Sequence, residues 1–281
     1  MTLSKSIIKV SAIAIFWTLL AQLLSGVIGD WFKRAAFNAE AELFIELILT
    51  GILIIIVLAY YGHKRQLQLF ALSKNKLGSL YLKGLVFGLG TFALIWVIAV
   101  ALRAVKVQVP TNGQGLIWFV PMLLGFGIQG FSEELLTRGY VLSKLTAIGA
   151  PLAGIWTNAV IFALLHAMNP GINLFAVIEL VMTGVLLSLL RLRFDSLWLS
   201  AAFHTAWNFA EGPIFGVYVS GNHFSAALLQ TKTNPGLDWL NGGLFGLEGG
   251  LIALAVITAV TIILISWYRR HPDPRTAQLF H

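Results

Sequence analysis

The sequence predicts an all-α fold, a polytopic membrane bundle of about eight transmembrane helices, on three observations. Of the 281 residues 58% are hydrophobic, against 19 Lys and Arg and 12 Asp and Glu, which is too apolar for a water-soluble globule. Apolar runs of about 18 residues or more recur along nearly the whole chain, and at about 1.5 Å per helical residue each can cross a hydrocarbon layer roughly 30 Å thick. The remaining charge gathers in the short connections between those runs. This placement gives the net charge of +7 a topological cause. Membrane lipid is therefore the expected partner and nucleic acid is not. Soluble enzymes and disordered or fibrous classes are excluded. The absence of cysteine excludes a disulfide framework, a thiol nucleophile and any Cys-ligated zinc or iron–sulfur site.

The runs, in order, are Ile7 to Ile28, Leu43 to Tyr61, Gly84 to Leu102, Leu116 to Leu145, Pro151 to Met168, Leu174 to Leu190, Leu197 to Tyr218 and Gly250 to Tyr268. The first follows Lys5 and Lys9, as the core of a signal peptide would. It has no convincing small-residue cleavage site and seven more spans follow, so it reads as retained. Residues 1–281 then form a single integral-membrane domain. The stretch from Val219 to Gly249 is Gly-rich and little charged, and is expected to dip into the bilayer or cap the bundle. Alternate connections share a membrane face. One face collects Lys5, Lys9, Lys64, Arg65, Lys74, Lys76, Lys83, Lys144, Arg191, Arg193, Arg269, Arg270 and Arg275; the other holds Lys33, Arg34, Arg103, Lys106 and Lys232. That asymmetry puts both termini in the cytoplasm.

Ionisable side chains inside a span are costly, so each demands a partner or a function. Most of them sit in three spans. The fourth contains Ser132-Glu133-Glu134-Leu135-Leu136-Thr137-Arg138, the fifth Phe162-Ala163-Leu164-Leu165-His166, and the seventh His204-Thr205-Ala206-Trp207-Asn208; Glu179 and Glu211 are outliers. Glu134 and Arg138, four apart with the acid first, are placed for an intrahelical ion pair that neutralises both charges. Glu133 points about 100° away and is free to project into the bundle. His204 and Asn208, also four apart, present ring nitrogens and an amide on one face, suited to a developing oxyanion. Glu179 is expected to support these groups or line a polar cavity. Glu46 can reach the interface. The loop and tail histidines His63, His223, His271 and His281 are assigned no role. Trp17, Trp31, Trp118, Trp239 and Trp267 read as interfacial anchors and packing.

Groups on three helices cooperate only at a common depth. Counted from the connection 146–150, Glu133 lies roughly 18 Å and His166 roughly 22 Å in; counted from Leu197, His204 and Asn208 lie roughly 10 and 16 Å in. Glu133, His166, His204 and Asn208 thus form a candidate catalytic set. A structural alternative is that the ion pair locks packing, the histidines bond backbone carbonyls and Asn208 joins helices. A metal alternative is that Glu133, His166 and His204 ligate a catalytic zinc, although the spacing lacks His-Glu-x-x-His.

Three signatures, Glu133-Glu134-x-x-x-Arg138, Phe162-x-x-x-His166 and His204-x-x-x-Asn208, resemble in order those of the CAAX protease and bacteriocin-processing (CPBP) family, the type II CAAX prenyl endopeptidase or abortive-infection proteins, in its bacterial branch. The resemblance extends through Asn169-Pro170-Gly171, Arg193-Phe194-Asp195-Ser196-Leu197-Trp198 and Trp239-Leu240-Asn241-Gly242-Gly243, over about 84–268. It departs at Glu179, where bacterial relatives have Asn. The resemblance implies an intramembrane peptidase acting on a membrane-associated protein or peptide, with no cofactor. Glu133 and His166 would activate water, His204 and Asn208 would stabilise the oxyanion, and Glu134 and Arg138 would hold the fourth helix. It also implies a link to bacteriocin immunity. A proton-coupled transporter or a non-enzymatic immunity scaffold is the alternative of a different class.

Overall fold

The computed structural model describes residues 2–34, 38–61, 70–72, 77–111, 113–277 and 279. His63 and His281, and Lys64, Arg65, Lys74 and Lys76 of the charge count, lie outside them. The long apolar runs fold as α1 (Leu3–Arg34), α2 (Ala39–Tyr61) and α3 (Leu77–Ala101), followed by α4 (Gln114–Glu134), which continues through a π-helical stretch (Leu135–Val141) into α5 (Leu142–Thr146). Then come α6 (Pro151–Leu165), α7 (Leu174–Phe194) and α8 (Leu197–Phe209), which runs on into a second π-helical stretch (Ala210–Ile214). The short α9 (Asp238–Asn241), α10 (Leu251–Arg270) and α11 (Pro274–Ala277) complete the chain.

The fold class is all-α and the protein is a multi-pass membrane protein. Among the described residues six helical segments, where eight were expected, are long and apolar enough to cross a membrane: α1, α2, α3, the continuous run Gln114–Thr146, α7 and α10. The fifth expected span is only 15 residues long and the seventh has 13 before its π turn. At about 1.5 Å per residue these α-helical stretches alone are shorter than a hydrocarbon layer, and the residues that follow each complete the passage between the faces.

The short α8 sits where it does because its neighbours are small. Gly84 and Gly88 of α3, a Gly-x-x-x-Gly pair, meet the backbone carbonyls of Leu199 and Phe203, and Gly130 of α4 meets Thr205. Helices without side chains between them approach closely, which is how membrane bundles gain contact when lipid is as apolar as leucine. Polar pairs add further ties. Asn158 of α6 donates to Ser188 Oγ of α7 at 3.0 Å, and Ser25 and Thr50 join α1 to α2 at 2.6 Å. Asp195, at φ 44°, closes α7, and Ser196 caps α8 by accepting from the Trp198 N–H. Leu197, which opens α8, is fully buried.

Contacts between connections divide them into two faces as alternation requires. On the face of the termini, the Leu197 N–H donates to Ala71 O at 2.9 Å and Arg193 pairs with Asp273 at 3.1 Å. Arg275 bonds the same carboxyl and holds it well below the usual carboxylate range. On the opposite face, β1 (Val105–Gln108) pairs antiparallel with β2 (Gln230–Thr233), Val105 opposite Thr233. Asn169 there donates to Ser220 O at 2.9 Å, and Ser225 bonds Glu40. The 219–249 stretch is thus a cap bearing half of a small ribbon, which the all-helical expectation did not contain.

Gly88→Val should force α3 and α8 apart, because its first added carbon would collide with the Phe203 carbonyl. We expect a loss of about 1–3 kcal/mol, the usual range for overpacking. Thermal unfolding in detergent checks this; an unchanged midpoint would show that the close approach carries no stability.

Candidate active site

Glu134 is at the centre of the polar interior. Its Oε1 accepts from Arg138 Nη1 at 2.7 Å, one turn on, and from His204 Nδ1 on α8 at 3.2 Å. Glu134 and Arg138 are fully buried. The expected pair therefore forms, and it also does something the spacing did not indicate, because it grips a second helix. Arg138 Nε and Nη2 have no hydrogen-bond partner among the described residues, but the guanidinium carbon lies 4.7 Å from the centroid of the Phe162 ring. A cation over an aromatic face recovers part of that lost hydration. Phe162 also meets both histidines, with ring centroids 4.9 Å from His166 and 5.7 Å from His204.

Glu133 has the other fate that the helical geometry allows. Its Oε1 accepts from Gln129 Nε2 at 2.5 Å, one turn back on α4. Its Oε2 is buried without a hydrogen-bond partner among the described residues, and faces His204 Nε2 at 3.8 Å. An oxygen about 2.8 Å from each atom would bridge that gap. A carboxylate only accepts, so Gln129 must turn its NH₂ toward Glu133 and its carbonyl toward Asn208, whose Nδ2 donates to it at 3.0 Å. The charge on Glu133 thus sets the direction of the whole chain Asn208, Gln129, Glu133. Asn208 is left with its second amide hydrogen, the kind of donor an oxyanion needs.

His166 ends α6, where its Nδ1–H donates to Phe162 O at 2.8 Å. That bond leaves Nε2 with its lone pair. Glu133, His166 and Asn208 line one cavity of about 190 Å³ together with Gln129. A smaller cavity of about 20 Å³, room for roughly one water, joins His166, His204 and Asn208 to Glu179. The four expected residues are thus brought together around two adjoining spaces. Glu179 is buried, lines the smaller one and accepts from Thr183 Oγ1 at 2.7 Å. Among the described residues no three His, Asp or Glu side chains converge as a metal-ligand set.

Two residues escaped the sequence reading. Gln129 had a signal, since it shares the helix face of Glu133 four residues on. Glu248 had none, because it lies in the Gly-rich cap; it enters the core and accepts from Trp207 Nε1 and Ser220 Oγ, both at 2.6 Å. Glu211, in the second π turn, is buried with neither carboxyl oxygen hydrogen-bonded among the described residues. Both α4 and α8 pass into π turns beside the site, at Leu135 and Ala210, a distortion frequent at functional sites.

The seven residues of the three signatures fall within one segment that a comparison with known families picks out. Residues 114–210 match the family described as Type II CAAX prenyl endopeptidase Rce1-like. This segment is Rce1-like. The match covers about a third of the chain, narrower than the 84–268 expected, and leaves α1, α2, α3 and the cap outside the Rce1-like segment. No curated protein and no solved structure matches the chain.

Arg138→Leu should strand the Glu134 charge and destabilise the fold by about 3–5 kcal/mol, the cost of halving a buried pair. Removing both with Glu134→Leu should restore much of the melting temperature. If the single variants melt like the wild type, the pair is not the anchor described.

Proposed function

We propose that the protein is an intramembrane endopeptidase that hydrolyses a peptide bond of a membrane-associated protein or peptide with a water activated by Glu133 and His166. The observation that carries this reading is the buried Glu133 Oε2, free of hydrogen bonds among the described residues and 3.8 Å from His204 Nε2. The Rce1-like match supports the endopeptidase class. Glu133 Oε2 takes one proton from water as the water oxygen attacks the scissile carbonyl carbon, with His166 Nε2 accepting a hydrogen bond from the same water. The carbonyl oxygen becomes an oxyanion that accepts from His204 Nε2–H and Asn208 Nδ2–H. When the tetrahedral intermediate collapses, the C–N bond breaks and the leaving amine receives the proton held by Glu133. One water is consumed and Glu133 is restored.

With both ring nitrogens of His204 protonated, the two carboxylates, Arg138 and His204 sum to zero charge, which suits a buried cluster. We assign both termini to the cytoplasm from the thirteen-to-five distribution of Lys and Arg between the faces. The proposed mechanism is metal-free, since the four residues supply base, orientation and oxyanion donors without an ion.

Glu133→Gln keeps shape but cannot take the proton, so it should fold and lose about 10²- to 10⁴-fold in cleavage. Asn208→Ala should cost about 10²- to 10³-fold, as for one oxyanion donor. Gln129→Leu, which frees the Asn208 amide to turn, should lower kcat on the order of 10²-fold with KM little changed. Thorough chelation should leave cleavage intact. Activity lost on chelation and restored by zinc would overturn the metal-free mechanism and leave the peptidase standing, whereas a fully active Glu133→Gln would remove the peptidase reading itself.

A further inference from the structure

The cavity holding Glu133, His166 and Asn208 is built unevenly along the membrane normal. Toward one end its walls are connections: Asn169 follows α6, and Val219, Ser220 and Asn222 belong to the cap. Asn222 is exposed there, as is Gln22 on α1. Toward the other end the lining closes with Thr18 and Ile54, both buried. Beyond them lies a packed apolar layer that includes Val10, Leu58, Phe70, Tyr140 and Leu197. From Thr18 to Val10 is eight residues of helix, roughly 12 Å of floor. Interiors packed to this degree leave few voids large enough for water, so the layer is a barrier and not a path. It ends at Leu197, whose N–H is bonded to Ala71 O on the face where the termini lie.

We propose that the site is entered from the membrane face opposite the two termini, and that its substrates are polypeptides present on that face. With the termini cytoplasmic, these are exported peptides or the outward segments of membrane proteins. The lining contains Glu46 and Glu133 and no Lys or Arg, so segments that are neutral or basic near the scissile bond are favoured over acidic ones. The entrance follows from the fold; only the substrate clause rests on the peptidase reading. Much of the outer wall comes from α1, α2 and the cap, so the direction of access is set largely by sequence beyond the Rce1-like segment.

The chain has no cysteine, so single cysteines report accessibility without further engineering. Asn222→Cys and Gln22→Cys would be treated in intact cells with a membrane-impermeant maleimide, then again after permeabilisation, with Arg275→Cys on the terminal face as the opposite control. We expect the first two to label fully in intact cells and Arg275→Cys only after permeabilisation. In detergent, Thr18→Cys should label at least about 10-fold more slowly than Gln22→Cys, since opening to solvent is what separates them. Labelling of Asn222→Cys only after permeabilisation, or equal rates at Thr18→Cys and Gln22→Cys, would overturn the proposed entrance. For the substrate clause, wild type in intact cells would be given a fluorogenic library of neutral, basic and acidic peptides from outside, beside Glu133→Gln. Glu133-dependent cleavage of externally added peptides supports it. Labelling from outside with no such cleavage from either side upholds the entrance and sinks the peptidase reading. Cleavage only after permeabilisation sinks the substrate clause alone.

Discussion

A single carboxylate oxygen holds the interior together. Glu134 Oε1 receives Arg138 from its own helix and His204 from α8, so one buried negative charge is shared by two donors on two helices. In lipid an unmatched charge has no water to turn to, and the cheapest remedy is another part of the same chain. Arg138 is completed on its other side by the Phe162 ring, which extends the knot to α6. Three helices are therefore registered against each other by electrostatics before any question of catalysis arises.

The consequence is a division of labour between neighbours in sequence. Glu134 takes the strong cation and Glu133, turned about 100° around the helix, takes the weaker hydrogen bond of Gln129 and keeps one oxygen uncommitted. An acceptor-only group at one end of a chain of amides dictates the polarity of all of them, so Gln129 and Asn208 are oriented by the charge they serve. An uncommitted oxygen and a rigid ion pair are thus assigned to adjacent side chains by helical rotation.

Close packing sets the depth at which this happens. Gly84, Gly88 and Gly130 let α3 and α4 close on α8, and His204 of α8 meets both glutamates there. The cap then returns Glu248 to the core, where it fixes the Trp207 indole and the Ser220 hydroxyl at the edge of the smaller cavity. α3 and the cap lie outside the Rce1-like segment, so part of the surroundings of the motif residues is supplied by sequence beyond it.

By itself the sequence determined what depends on local rules. Apolar length specified membrane helices, four-residue spacing specified the Glu134–Arg138 pair, and the separate facing of Glu133 followed from rotation per residue. The residues of the site were legible because a charge in an apolar run is conspicuous wherever the chain goes. Tertiary structure alone decided their partners. That Glu134 also takes His204, that α6 and α8 are shorter than the helices around them, and that Glu248 enters the core from a Gly-rich loop each depend on helix approach and loop return. Those are settled by packing between segments far apart in sequence, and no local period encodes them. Gln129 lies between the two cases: its place one turn before Glu133 was readable, but its second bond to Asn208 required the fold.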